Sequence, residues 1–202
     1  MTIRYGFFGE DSGQRIFLEQ YLVQLTQNKT VSFEQAQYFS KQFGFINNKV
    51  VDRRCGDACK QAFLLEKTTL DCLFIGRDVD SYKITDYQKR LTDLQVSIQP
   101  RWQHKAILLL PVQCIEHWLL YLHRLASGIP INKIRELETV PKDSAKDELY
   151  KFPRQPATQS KDEFVAVLAS NLDINWLCER SNSFNRFHQQ VNTFLAYLPA
   201  TP

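Results

Sequence analysis

The chain has 202 residues, a formal net charge of +3, and 44% hydrophobic residues. This length and composition fit one globular domain and exclude wholesale disorder. With only 7 glycines and 8 prolines, collagen-like and linker-type chains are excluded as well. The mild basic excess neither demands nor excludes a nucleic-acid partner, because dedicated binders usually carry a stronger one.

Neither a membrane span nor an export signal is expected. No apolar run reaches the roughly 18 residues that cross a bilayer, and the first residues lack the parts of a signal peptide. We therefore interpret the five cysteines as reduced thiols of a cytoplasmic protein. The pair Cys55 and Cys59 lacks the spacing and the second ligand pair of a structural zinc site, so packing is the favoured interpretation.

Strand and helix patterns alternate along the first two thirds of the chain, which is typical of an α/β fold with a mainly parallel sheet. Ser12 is the expected N-cap of the first helix. In chain order, the predicted elements are strand 3–9, helix 13–27, an ambiguous segment 30–51 (31–39 being strand or short helix), helix 56–66, strand 71–80 ending in acids, helix 82–94, strand 106–111 and helix 112–125.

The last third of the chain has a different character. Residues 128–160 are polar and include four prolines, which predicts a loop-rich excursion with a short helix at 145–150. Residues 162–198 predict two or three helices that pack back on the sheet. We therefore expect an α/β core at 1–127, with 128–202 as an extension within the same domain.

Two acids, Asp78 and Asp80, close the second apolar strand. On an extended chain residues i and i+2 point the same way, so both carboxylates would face one spot. Like charges this close repel unless a cation or a proton lies between them. Oxygen ligands at a strand end suit Mg²⁺ or Mn²⁺. The alternative is a solvated acidic turn at the start of the next helix.

Further acids follow the other two apolar strands. Glu10 comes directly after the first, and Glu116 lies at the start of the helix after the third. Ligands of parallel sheets bind outside the carboxyl ends of the strands, so these acids are candidates for the same site as Asp78 and Asp80. Each has a simpler alternative as an acid favoured at a helix N-terminus. His117 is interpreted as a surface or structural histidine.

Other kinds of site are disfavoured by missing motifs. There is no G-x-S-x-G elbow, and we expect no Ser or Cys beside a His at a sharp strand–helix turn, so a nucleophilic triad is unsupported. Neither G-x-x-x-x-G-K-[ST] nor G-x-G-x-x-G occurs, so no nucleotide cofactor is expected. Basic residues near the acids could line a phosphate path. Those assigned to phosphate or nucleic acid are Arg77, Lys142 and Lys146.

Short motifs spread over most of the chain resemble those of a known family. They are Tyr5-Gly6-Phe7-Phe8-Gly9-Glu10, Leu73-Phe74-Ile75-Gly76-Arg77-Asp78-Val79-Asp80, Glu116-His117-Trp118-Leu119-Leu120, Pro141-Lys142 with Lys146, and Arg180-Ser181-Asn182-Ser183-Phe184-Asn185-Arg186-Phe187. Together they are similar to the Toprim domain of topoisomerases, primases, OLD-family nucleases and small ribosomal-RNA maturases. The chain resembles most a branch of small bacterial proteins encoded beside ABC-type or AAA-type ATPases in antiphage and mobile loci.

The resemblance implies a Toprim-like (Rossmann-like) core and a Mg²⁺- or Mn²⁺-dependent nuclease acting on DNA or RNA. It implies that Asp78 and Asp80 hold the metal, that Glu10 is a further ligand or the general base, and that Glu116 is a supporting acid. It also implies a role as the effector of a two-component antiphage system, with an ATPase as partner.

The chain departs from the Toprim pattern at two positions. Asp11 follows Glu10 where the family has glycine, and Gln14 stands where the family has an acid. These departures leave a second hypothesis open, in which a non-catalytic Toprim-like subunit docks on a partner ATPase and scaffolds or senses nucleic acid. A third hypothesis, a phosphatase that uses D-x-D as nucleophile and acid, is weaker, because such enzymes usually carry the pair on the first strand.

Overall fold

The computed structural model of the protein describes residues 1–36, 43, 46–64, 70–134, 136–151 and 160–198. Its strands are β1 (Thr2–Gly9), β2 (Ser32–Gln35), β3 (Cys72–Gly76) and β4 (Ala106–Leu109). They form a four-stranded sheet in the order β2-β1-β3-β4, and every pairing is parallel. The predicted α/β class is therefore confirmed. Within the ambiguous segment 30–51, residues 32–35 form strand β2 and residues 48–51 begin a helix. Residues 37–39 of that prediction lie outside the described part.

Helices cover both faces of the sheet. They are α1 (Ser12–Thr26), α2 (Asn48–Leu64), α3 (Ile84–Ser97), α4 (Glu116–Ala126), α5 (Lys142–Tyr150), α6 (Lys161–Ser170), α7 (Ile174–Arg180) and α8 (Asn182–Tyr197), with 3₁₀ turns at Pro100–Trp102 and Ile131–Lys133. The predicted helical tail is thus α6, α7 and α8. In the described part of the chain no helix is both long enough and apolar enough to traverse a bilayer.

Side chains alternate between two hydrophobic cores along each central strand. Phe7 and Phe74 enter the core formed with α1, α4 and the C-terminal helices, whereas Phe8 and Ile75 enter the core formed with α2 and α3. Burial on both faces explains why these strands are continuous apolar runs in the sequence. The C-terminal helices pack on one face, as predicted.

Two glycines end the central strands side by side. Gly9 of β1 is in register with Gly76 of β3. A Cβ at Gly9 would lie 2.2 Å from the ring of Phe7, and one at Gly76 would lie 2.3 Å from Oε1 of Gln14. Glycine is therefore required at both positions so that the Phe7 ring and the Gln14 amide can pack across the strand ends.

The free edge of β4 is closed by a side chain instead of a strand. Gln190 of α8 accepts from Leu108 N at 3.0 Å and donates to Leu108 O at 3.1 Å. Its amide thus satisfies the backbone groups that a neighbouring strand would bind. This pairing blunts an edge that would otherwise be open to another chain.

Several helix starts differ from the sequence prediction. Helix α2 begins at residue 48 and not at 56, and α5 begins at residue 142 and not at 145. Asp11, not Ser12, caps α1, and its carboxylate accepts from Gln14 N at 2.8 Å. Helix α4 begins at Glu116 and not at Val112, because Gln113 has a positive φ of 60° that ends any helix there.

Candidate functional site

The strand order reverses between β1 and β3, and this point of the sheet holds the predicted acids. From β1 the chain runs to β2 on one side and to β3 and β4 on the other. A crevice forms at the carboxyl ends of two strands where the order reverses, and ligands of open α/β sheets bind there. Glu10 follows β1 and Asp78 follows β3, so both lie at this reversal point. The carboxylate of Glu10 accepts from Asp78 N at 2.5 Å.

Arg77 is the centre of the outer part of the site. Its side chain is only 5% exposed and forms ion pairs with Asp52 at 3.1 Å, Asp80 at 2.9 Å and Glu10 at 3.6 Å. Asp52 comes from α2, so the guanidinium ties that helix to the ends of β1 and β3. The structure thus brings Glu10 and Asp80 together around a cation of the protein itself.

Asp78 and Asp80 do not share one environment. The pairing of β3 with the β4 segment continues past the strands, since Val79 N donates to Pro111 O and Asp80 N donates to Gln113 O. Asp80 then has a φ of 60°, which ends the extended chain on which the expectation of parallel carboxylates rested. Its carboxylate pairs with Lys142 at 2.6 Å and with Arg77 at 2.9 Å. It lies outside the buried group that Asp78 forms with Cys114 and Glu116.

Asp78 is the buried acid of the pair. Its Oδ1 accepts from Gln14 Nε2 at 2.8 Å and from Ile115 N at 3.2 Å. Burial, and after it the charges of Glu10 and Asp11, raise the pKa of Asp78 well above the ordinary aspartate value. The opposite holds at Asp80: burial raises its pKa, but bonds from Lys142 and Arg77 lower it more, so the net pKa lies below the ordinary value.

Asp78 also belongs to a second set of buried side chains, the metal-capable group, which could hold a metal ion. Asp78, Cys114 and Glu116 are all buried, and their candidate ligand atoms lie within 4.8 Å of one another. The residues come from the end of β3, the turn after β4 and the first turn of α4. A carboxylate–thiol–carboxylate group of this kind could hold a metal ion.

Glu116 lies near basic residues, and one of its two carboxylate oxygens has no hydrogen-bond partner among the described residues. Its Oε1 accepts weakly from Lys161 at 3.3 Å and from Tyr150 at 3.4 Å. Within the described residues its buried Oε2 has no hydrogen-bond partner. Burial raises the pKa of Glu116, but Lys146, the Cys114 thiol and Lys161 together lower it below the ordinary glutamate value. Glu116 is therefore a buried anion with one oxygen available.

Cys114 contradicts one expectation from the sequence. It lies at the turn between β4 and α4, with its Sγ 3.3 Å from Nδ1 of His117. His117 Nε2 donates to Val140 O at 2.8 Å, and its Nδ1 lies 3.3 Å from both the sulfur and the carbonyl oxygen of Cys114. A Cys does therefore stand beside a His at a strand–helix turn. It is not an activated nucleophile, because the side chain is fully buried and burial raises the pKa of the thiol.

The predicted phosphate-binding residues have different positions. Lys142 pairs with Asp80 and Lys146 lies near enough to Glu116 to lower its pKa, so both belong to the site. Arg77 is held by three acids and by the carbonyl of Asp78. Its role toward phosphate stays a prediction.

Four site residues were missed by the sequence analysis: Gln14 as a donor, Asp52, Cys114 and Lys161. The fully buried Gln14 donates through Nε2 to both Asp78 and Glu10, so the departure from the family acid supplies a hydrogen-bond donor between two carboxylates. Cys114 stands two residues before Glu116 in the same turn, which is the signal that could have identified it. Asp52 and Lys161 are distant in sequence and give no such signal.

No family model, no curated protein and no solved structure matches the chain. The resemblance to the Toprim domain stays a prediction from the motifs quoted above.

Proposed function

We propose that this protein is a divalent-metal-dependent phosphodiesterase that cuts DNA or RNA, with Mg²⁺ or Mn²⁺ as the ion. The observation that carries the proposal is the meeting of Glu10, Asp78 and Glu116 at the reversal point of the sheet, beside lysines from α5 and α6. Phosphodiester hydrolysis needs oxygen ligands for a cation, a proton acceptor, and positive charge for the phosphate. All three are present at this edge.

The buried acids have the chemistry of a metal site. Asp78 and Glu116 contribute carboxylates to the metal-capable group, and the unpartnered Oε2 of Glu116 is an unfilled acceptor in a buried position. A buried polar atom without a partner is costly unless a ligand completes it. A bound divalent cation would polarise a phosphoryl oxygen and lower the pKa of a coordinated water. Asp80 is assigned to holding Lys142 in place.

Glu10 is the best proton acceptor of the site. Burial raises its pKa above the ordinary glutamate value, although the bond from Asp78 N and the charge of Arg77 oppose the shift. A raised pKa lies closer to neutral pH. A general base is most effective when its pKa is near the pH at which it works. Glu10 is also more exposed than Asp78 or Glu116, at 13% of its side chain, so a water molecule can reach it.

The lysines are suited to a polyanion. The pair of Lys142 with Asp80 is partly exposed and Lys161 is 51% exposed where it meets Glu116. A partly exposed pair such as Lys142–Asp80 contributes roughly 0.2–1 kcal/mol, so a phosphate backbone can compete for Lys142. We assign both lysines to binding phosphate beside the acids.

A second candidate function has its own supporting observation. Arg77 and Lys142 already neutralise Glu10 and Asp80, so the outer acids have cationic partners without any metal. This favours a non-catalytic subunit that docks on a partner ATPase and senses or scaffolds nucleic acid.

Cleavage assays distinguish the two functions. The purified chain is incubated with single-stranded DNA, double-stranded DNA and RNA in Mg²⁺, in Mn²⁺ and in chelator, alone and with a candidate ATPase. Asp78→Asn and Glu10→Gln test the site, and Asp93→Asn, an exposed acid on α3 paired with Lys89, is the matched control.

We expect cleavage only with metal, and a loss of at least about 100-fold in both site variants but not in Asp93→Asn. Cleavage that persists in chelator or in Asp78→Asn would overturn the proposal. Absence of cleavage under every condition, combined with metal-independent nucleic-acid binding, would establish the scaffold function instead.

A further inference from the structure

We infer that Cys114 is a third ligand of the metal held by Asp78 and Glu116, so that the site takes a cation that accepts a thiolate, with Zn²⁺ and Co²⁺ bound far more tightly than Mg²⁺. The inference rests on the metal site of the proposed function, and it replaces Mg²⁺ or Mn²⁺ at that site by an ion that binds a thiolate. The binding step itself requires neither nucleic acid nor cleavage.

The geometry supplies the first part of the argument. The Cys114 sulfur belongs to the same group of ligand atoms within 4.8 Å as the two carboxylates. Three ligands can therefore reach one ion without rearrangement of the backbone. Sulfur and carboxylate together are a zinc donor set, and a thiolate is a poor ligand for Mg²⁺, which keeps to oxygen and water.

Burial supplies the second part. Cys114 and Glu116 are at most 1% exposed and Asp78 is 6% exposed, so water cannot solvate these groups fully. Glu116 Oε2 nevertheless has no hydrogen-bond partner in the described part of the chain. A cation bound among the three residues would complete this oxygen and reverse the repulsion between the two acids.

His117 supplies the third part, as a positioning residue. Its Nδ1 lies 3.3 Å from the Cys114 sulfur, and its Nε2–H donates to Val140 O at 2.8 Å. The ring is thus fixed from both sides and orients the sulfur, as partners behind a metal ligand commonly do. On coordination the S–H bond is replaced by an S–metal bond, and one proton is released to the buffer for each ion bound.

Co²⁺ is the probe that tests this assignment. The full chain is titrated with Co²⁺ while absorbance is recorded for the thiolate-to-cobalt charge-transfer band. Cys114→Ser removes the proposed sulfur ligand, and Cys178→Ser, a partly exposed cysteine on α7 outside the group, is the matched control. Asp78→Asn removes a carboxylate and keeps the thiol, and its circular dichroism shows whether the fold is intact.

The wild type and Cys178→Ser should show the band, and Zn²⁺ but not excess Mg²⁺ should remove it. Cys114→Ser should lose the band, and Asp78→Asn should bind Co²⁺ at least about 10–100-fold more weakly, since even partners behind a ligand contribute that much. If Cys114→Ser does not fold, Cys114→Ala replaces it, because it removes the sulfur without adding a buried polar group, and it should also lose the band.

A wild type without the band, or a Cys114→Ser protein that keeps it, would overturn the inference. Full cleavage by Cys114→Ser with Mg²⁺ would also do so while leaving the proposed function standing. A Co²⁺ band without cleavage by any metal would sustain the metal assignment and refute the nuclease.

Discussion

The substitutions Asp78→Asn and Asp80→Asn should change the free energy of unfolding in opposite directions. Asp80 forms ion pairs with Lys142 and Arg77. Asp78 is buried, and the nearby charges that raise its pKa are those of other acids. Asn has the size of Asp and tolerates the left-handed backbone of residue 80. Each substitution therefore isolates the charge of its carboxylate.

Asp78→Asn should stabilise the metal-free protein. Both hydrogen bonds that Asp78 accepts, from Gln14 and from Ile115, end on Oδ1, and asparagine keeps that oxygen. The variant loses only the negative charge of a buried carboxylate. The pKa of that carboxylate is raised by burial and by the charge of Glu10. Replacing a residue that is kept for function at the expense of stability typically raises the free energy of unfolding by about 1 kcal/mol. This corresponds to a Tm increase of roughly 2–4 °C in a domain of this size.

Asp80→Asn should destabilise the protein by a similar amount. Asp80 is 39% exposed, and its two ion pairs have N···O distances of 2.6 and 2.9 Å. Partly exposed pairs contribute roughly 0.2–1 kcal/mol each, so their combined loss is about 1 kcal/mol. The double variant should lie close to the wild type, because the two changes oppose each other.

The pH dependence has a definite sign for each acid. The folded pKa of Asp78 is raised, so the wild type gains stability as pH falls through that pKa, and the advantage of Asp78→Asn disappears toward the unfolded value near pH 4. The folded pKa of Asp80 is lowered, so its contribution is present above the unfolded value and is lost as pH falls through the folded one. Both differences should therefore vanish in acid.

The assay is thermal and urea unfolding in chelator between pH 2 and 8, repeated with Zn²⁺ at neutral pH. Metal should reverse the ranking at neutral pH, since an ion at 100 times its Kd stabilises the wild type by about 2.7 kcal/mol and cannot bind the Asp78→Asn site as well. A drop in Tm for Asp78→Asn in chelator, equal to that of Asp80→Asn, would refute the contrast between the two environments.

Three further substitutions test other parts of the fold and site. Gln190→Ala removes both hydrogen bonds to Leu108 and should lower the free energy of unfolding in urea by about 1–3 kcal/mol. The control is Gln189→Ala, at an exposed position, which should have almost no effect. Equal effects of the two substitutions would contradict the edge-closing role. Gly76→Ala forces a Cβ against Gln14 and Phe7, so we expect a loss of about 1–3 kcal/mol and weaker Co²⁺ binding. Gly13→Ala should cost less, because its Cβ would press only on the Asp11 carboxylate, at 3.1 Å, and that side chain can shift. Gln14→Glu removes a donor between Glu10 and Asp78 and adds a buried charge. It should therefore lower the free energy of unfolding in chelator by about 3 kcal/mol. An unchanged Tm would show that Gln14 does not hold the two acids together.

The sequence alone was sufficient for the α/β class and for the edge of the sheet on which the site lies. Continuous apolar runs predict strands buried on both faces, and parallel strands must present their carboxyl ends at one edge. Glu10, Asp78 and Glu116 therefore had to emerge together once the strands were identified. Local periodicity and connection rules carry this information, because they depend on neighbours along the chain.

The partners of these acids were decided by the tertiary structure. Arg77 meets Asp52 only because α2 packs against the sheet, and Lys142 reaches Asp80 only because α5 returns to the site from the far third of the chain. The left-handed turn at Asp80, which separates it from Asp78, depends on its bond to Gln113. The spacing of Cys114 and Glu116 places the thiol beside one acid, but long-range contacts decide which acid pairs with Lys142 and which is buried beside that thiol.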